Sequence, residues 1–306
     1  MRRPSLILFA VLSLLAGCAT SPQGGPAAPP AVPFHVERSG QGRPLLFIPG
    51  LSSSGEVWNE TVQHLRGQYD CHVLTLAGFA GQPSIPAPFL PTLRRAVADY
   101  IREQHLEKPI LIGHSLGGVL ALGVAADAPD LVGGVMVVDS LPFLPASLDP
   151  SAKPDSVRPF ADQMRTTLRM QTAGQRLEQT RRALRSMISD EHNVEVAMRW
   201  SRDSDPETVA QAYYEVSTTD LRPELARITV PTLVLGSWIA LKGRVAREQV
   251  EHMYRGQYAG LAQARVVMSD TARHFIMLDD PQGFQRELDG FLSTQAAPMA
   301  QVAPRR

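Results

Sequence analysis

Beyond residue 33 the chain alternates short, nearly continuous apolar runs with longer segments whose apolar residues recur at helical spacing. The runs Leu45–Ile48, His72–Leu76, Pro109–Gly113, Gly134–Val138, Thr232–Leu235 and Ala264–Met268 predict strands, because a strand covered on both faces needs no polar alternation. Between them Val57–Arg66, Leu93–His105, Leu116–Ala126, Arg244–Arg255 and Pro281–Leu292 predict helices. Strand and helix in regular alternation imply βαβ units and a largely parallel sheet. The rhythm breaks once. From Leu141 to Arg227 there is no strand-like run, only helical segments rich in Arg, Gln and Met, which reads as an inserted helical cap.

The ends follow a different pattern. Met1-Arg2-Arg3 and the apolar run Leu6–Leu15 have the basic start and short apolar stretch of a secretory signal, too short to span a bilayer stably as a helix. The run closes in Leu15-Ala16-Gly17-Cys18, which resembles the lipobox of bacterial lipoproteins. That resemblance implies cleavage before Cys18 and acylation of its thiol and amine, enough acyl chains for stable anchoring. Ala19-Thr20 has no acidic retention residue, and by the same resemblance the periplasmic face of the outer membrane is expected. The expected organisation is a signal peptide over residues 1–17 and an anchor with a Pro- and Gly-rich tether over 18–33. An α/β core follows over 34–140 and 228–295, split by a cap over 141–227 and closed by a flexible tail over 296–306.

At 306 residues and 33.4 kDa the chain suits one large α/β domain with additions. With 44% hydrophobic and 20% charged residues it has ample material for a core, which excludes disorder of the whole chain. Thirty basic against thirty acidic residues remove the electrostatic case for a nucleic-acid partner. Two cysteines with no C-x-x-C pair exclude a disulfide framework and a cysteine zinc site, and no other metal or organic cofactor is implied. With Cys18 acylated, Cys71 is expected to be a buried, inert thiol.

Gly113-His114-Ser115-Leu116-Gly117 fits G-x-S-x-G immediately after a predicted strand and before an apolar helix, the setting a nucleophile elbow requires. The turn strains the serine backbone, and Gly113 and Gly117 must lack side chains for strand and helix to approach. Ser115 is the candidate nucleophile. His114, beside it, points away in such a turn and reads as structural.

With these residues the chain resembles the α/β-hydrolases, over roughly Phe34 to Leu292. The resemblance rests on Leu46-Phe47-Ile48-Pro49-Gly50, Leu74-Thr75-Leu76-Ala77-Gly78-Phe79-Ala80-Gly81, the elbow, Val230-Pro231-Thr232-Leu233-Val234-Leu235-Gly236 and Arg273-His274-Phe275. It implies a mostly parallel central sheet flanked by helices, with a helical cap, and a serine hydrolase acting on a small acyl substrate. A serine hydroxyl needs a neighbouring imidazole to take its proton. His274, in a setting similar to the G-H-F ending of many members, is the expected base. His35, His64, His72, His105, His192 and His252 lie where surface or packing roles are expected.

The third member departs from the family pattern. Gly236-Ser237-Trp238-Ile239 places isoleucine where capped members carry their aspartate. Asp139, at the end of the strand after the elbow, is the best candidate acid and keeps the order Ser115, Asp139, His274. Asp220 is expected at the cap's exit and Asp270 as a cap of its own loop.

The backbone amides of Leu116 and of Leu51, in the loop after the third sheet strand, are the expected oxyanion donors. Trp238 is a possible pocket residue. The cap's Met164, Met170, Met187, Met198 and Trp200 suit an adaptable apolar pocket, though most read as packing. The sequence leaves open lactone, thioester, amide and C–C substrates beside carboxylic esters, as well as a catalytically silent scaffold of the same fold. It does not address oligomeric state.

Overall fold

A computed structural model describes residues 32–295. The expected signal peptide, Cys18, the tether up to residue 31 and the tail over 296–306 lie outside the described residues. Seven strands form one sheet in the order β1-β3-β2-β4-β5-β6-β7. They are β1 (Phe34–Gly40), β2 (Arg43–Ile48), β3 (Tyr69–Leu76), β4 (Ile110–His114), β5 (Gly134–Val138), β6 (Thr232–Ser237) and β7 (Ala264–Ser269). Every neighbouring pair is parallel except β1 with β3. The pattern of apolar runs does not show β1: as an edge strand it is half exposed and carries His35, Glu37 and Arg38.

The helices α1 (Asn59–Leu65) and α10 (Pro281–Gln295) cover one face of the sheet, while α2 (Phe89–Glu103), α3 (Leu116–Asp127) and α8 (Arg247–Gln257) cover the other. The faces follow from the side chains: α2 buries Phe89, Leu90, Leu93, Val97 and Ile101 along one stripe, whereas nearly every residue of α3 is buried. Cys71 is fully buried in β3, and burial pushes its thiol up to about 11, so it is inert as expected. A short helix, α9 (Ile276–Asp279), precedes α10.

Between β5 and β6 lie four helices, α4 (Pro154–Met170), α5 (Ala173–Met187), α6 (Glu191–Arg202) and α7 (Pro206–Thr218). They pair as α4 with α7 and α5 with α6. Ile188, Met198 and Trp200 are buried packing residues, but Met170 is 79% exposed and Met187 lies at the surface. The arginines of this cap are mostly neutralised by carboxylates: Arg165 by Asp162, Arg169 by Glu207, Arg181 by Glu195 and Arg185 by Glu191.

One buried carboxylate joins cap to core. The N-terminus of α2 has no side-chain cap of its own, because Pro88 precedes it. Glu215 of α7 supplies the acceptors instead: Oε1 takes the Phe89 N–H at 2.8 Å and Oε2 the Leu90 N–H at 2.7 Å. Gln211 Nε2 donates to the same carboxylate at 2.7 Å. Bonds from buried amides to a charged acceptor are worth about 1.5–3 kcal/mol each, and removing the acceptor strands both donors. Glu215→Ala should therefore cost about 3–6 kcal/mol and lower Tm by roughly 10–20 °C in thermal unfolding. A midpoint within a degree of wild type would refute the capping role.

Candidate active site

β4 ends at His114 and α3 begins at Leu116, which leaves Ser115 alone in the turn at φ 52°, ψ −119°. A side chain at Gly113 would fall on the Gly117 carbonyl, and one at Gly117 on the carbonyls of Ile48 and Pro49. Both glycines are demanded by this close approach. Ser115 N donates to Val138 O at 3.0 Å, which fastens the elbow to the end of β5.

The next residue after Val138 is Asp139, also in the left-handed region at φ 44°. Its Oδ2 accepts from His274 Nδ1 at 2.6 Å. Its Oδ1 accepts from the Ser237 amide at 2.7 Å and from the Tyr254 hydroxyl at 2.6 Å. Burial, with the Asp139 charge added, pushes the Tyr254 phenol well above its ordinary range, so it remains a donor. Gly236 makes room for it, since a Cβ there would stand 2.9 Å from the Tyr254 ring. Neither Ser237 nor Tyr254 carried a signal in the sequence.

Asp220 binds the Arg222 guanidinium in a fork at 2.9 and 2.7 Å. Asp270 does not cap its own loop as expected. Its Oδ1 accepts from Trp238 Nε1 at 2.8 Å and from Arg247 Nε at 2.6 Å, because both donors overhang the end of β7. Trp238 therefore has its polar edge held by Asp270, and its partly buried ring packs on the cluster containing Leu116 and Leu141. Of the candidate acids, only Asp139 meets His274.

With the Nδ1 proton committed to Asp139, His274 presents Nε2 as a lone pair able to take a proton. Nε2 and Ser115 Oγ form no hydrogen bond here, and such bonds commonly tighten only with substrate. The loop bearing His274 is nonetheless seated on the elbow through His114. The His114 ring lies 4.6 Å from both His274 and Phe275, and its Nε2 donates to the His274 carbonyl at 3.1 Å. Burial, then the adjacent His274, holds the His114 imidazole well below the ordinary histidine range, so it is neutral. Its structural role is thus specific: it supports the backbone of the candidate base.

The loop carrying Leu51 follows β2, the second strand rather than the third, because only β1 precedes β2 among the described residues. A Cβ on Gly50 would stand 3.0 Å from His114 Nδ1 and 3.2 Å from Ser115 Cβ, so this loop lies against the elbow. The Leu51 and Leu116 amides donate to no protein acceptor among the described residues. Leu116 is also the first residue of α3, where the helix dipole favours negative charge. The Ser52–Ser54 run bonds locally, with Ser54 Oγ accepting the Glu56 N–H at 3.2 Å. Among the described residues no group of three His, Cys, Asp or Glu side chains is arranged to hold a metal ion.

The model of the alpha/beta hydrolase family matches residues 45–287. A pimeloyl-[acyl-carrier protein] methyl ester esterase of Vibrio campbellii is 30% identical over 43% of this chain and 50% of its own length. One from Vibrio cholerae is 25% identical over 84% of this chain and 97% of its own. Among solved structures, a thermophilic esterase from Thermogutta terrifontis superposes with a TM-score of 0.71 at 20% identity, over 86% of this chain and 94% of that one.

If Asp139 orients the imidazole, Asp139→Asn should lower kcat by about 10⁴-fold while the fold persists. Asp220→Asn should leave it within about twofold. Equal losses in steady-state assays of the two variants would remove Asp139 from its role.

Proposed function

The chain belongs to the alpha/beta hydrolase family, and we propose that within it this serine hydrolase cleaves carboxylic esters through an acyl-enzyme on Ser115. The single observation that carries this reading is the 2.6 Å bond from His274 Nδ1 to Asp139 beside a strained serine. Ser115 Oγ attacks the ester carbonyl as its proton passes to His274 Nε2. The imidazolium formed is stabilised by the Asp139 carboxylate, which also accepts from the Ser237 amide and the Tyr254 hydroxyl. The amides of Leu51 and Leu116 receive the oxyanion. His274 then returns the proton to the departing alcohol, and water repeats the sequence to release the acid.

The names of the Vibrio relatives support an ester, and a small alcohol, as the group cleaved. We further propose that the enzyme is held in the cell envelope by acyl groups on Cys18, on the strength of Leu15-Ala16-Gly17-Cys18. A Pro- and Gly-rich, uncharged tether would then hold the domain away from the membrane.

Hydrolysis of p-nitrophenyl esters of increasing acyl length should show turnover that disappears in Ser115→Ala, with a chain-length optimum that sizes the acyl pocket. No turnover by the native enzyme on any member of the series would remove ester hydrolysis and favour the silent scaffold. For the anchor, cells fed a labelled fatty acid should label the native chain and not Cys18→Ser; equal labelling of both would exclude lipidation at Cys18.

A further inference from the structure

The flanks of His274 are tied to the cap. Arg273 stands where the similar G-H-F ending has glycine, and its Nη1 donates to the carbonyls of Arg185 at 2.7 Å and Ile188 at 3.1 Å. Those two carbonyls belong to the last turn and the C-cap of α5, where intrahelical donors run out. A guanidinium there also meets the negative end of the helix dipole. The Phe275 N–H donates to Met187 O at 3.2 Å. Asp279 closes the same junction: Oδ1 accepts the Ser189 N–H at 2.8 Å, and Oδ2 accepts Ser189 Oγ at 2.8 Å and the Arg273 N–H at 2.9 Å.

Residues 185–189, the link between α5 and α6, thus bond to the chain immediately before and after His274. The core holds the imidazole itself through Asp139 and the His274 carbonyl through His114. The backbone that aims the imidazole is shared between core and cap. Ile188 is fully packed at this junction, so the link cannot shift without disturbing the loop it supports.

We propose that Arg273 is a positioning residue that makes the aim of His274 depend on the placement of the α5–α6 link; this rests on the reading of Ser115 and His274 as nucleophile and base. One guanidinium nitrogen, Nη1, bridges the two carbonyls, so an ammonium can make part of the same bridge only if its shorter reach allows. The cap contributes through this strut to proton transfer as well as to enclosing the substrate. A small misplacement of a base is enough to cost one to two orders of magnitude in rate.

The time course of labelling by a fluorophosphonate, in which the serine oxygen displaces fluoride from phosphorus, reports two quantities. The plateau counts folded, competent sites, and the rate constant reports how well the base is aimed. Arg273→Ala should reach the wild-type plateau about 10- to 100-fold more slowly. Arg273→Lys should recover part of the rate. Arg182→Ala, which breaks only the exposed Arg182–Glu178 pair within α5, should label at the wild-type rate. Ser189→Ala, on the cap side, should slow labelling in the same direction, and the double variant with Arg273→Ala should fall short of the product of the two effects.

Wild-type rates in Arg273→Ala would overturn the proposal. So would a lowered plateau at unchanged rate, which marks a folding role alone, or fully multiplicative effects in the double variant. A native enzyme that takes no label overturns the underlying hydrolase reading, and is distinguished because every variant is then silent as well.

Discussion

Ser115 and Asp139 leave the sheet from the ends of two adjacent parallel strands, paired in register from Ile110 with Gly134 to His114 with Val138. Both step immediately into the left-handed region, at φ 52° and φ 44°. Such conformations cost of order 1–3 kcal/mol for a residue with a side chain, and persist only where surrounding bonds over-determine them. Here the bonds are visible: Ser115 N is held by Val138 O, and Asp139 N by Leu235 O at 2.8 Å. The distance between candidate nucleophile and acid is therefore set by sheet hydrogen bonding, the least adjustable spacing a domain contains. Everything else at the site, His274 included, is arranged around that pair.

The parts of this arrangement that depend on a periodic or local signal were legible from residues alone. Six of the seven strands are continuous apolar runs, and the elbow is a local motif bounded by its own glycines. The absence of an acid at Ile239, together with an aspartate at the end of β5, was enough to point to Asp139. What was not legible has a common cause. β1 is an edge strand whose polar residues face solvent, so it has neither a core run nor strict alternation. Tyr254, Glu215 and Arg273 act across about a hundred residues of sequence or more, or across the cap boundary, and a single long-range hydrogen bond leaves no trace in composition or spacing. The place of His114 in the turn marks it as structural, but its bond to the His274 carbonyl depends on where a loop 160 residues away comes to rest.

The relocation of the acid changes what the end of β6 has to do. Ser237 supports Asp139 with a backbone amide, which any residue but proline could supply, and Ile239 sits in a short 3-10 turn with no ionic partner. Tyr254 reaches the same carboxylate from α8 through the gap that Gly236 leaves. The carboxylate thereby has each oxygen hydrogen-bonded while remaining partly buried.

Core and cap each lend a charged side chain to a helix end of the other. Glu215 from the cap receives the free amides at the start of α2, and Arg273 from the core receives the free carbonyls at the end of α5. The exchange makes the two parts chemically incomplete in isolation, because each would expose or strand backbone groups that only the other can serve. The cap is therefore not an interchangeable module: transplanting it onto another member of the fold, or replacing it with a foreign one, would require moving both charges and both helix ends together.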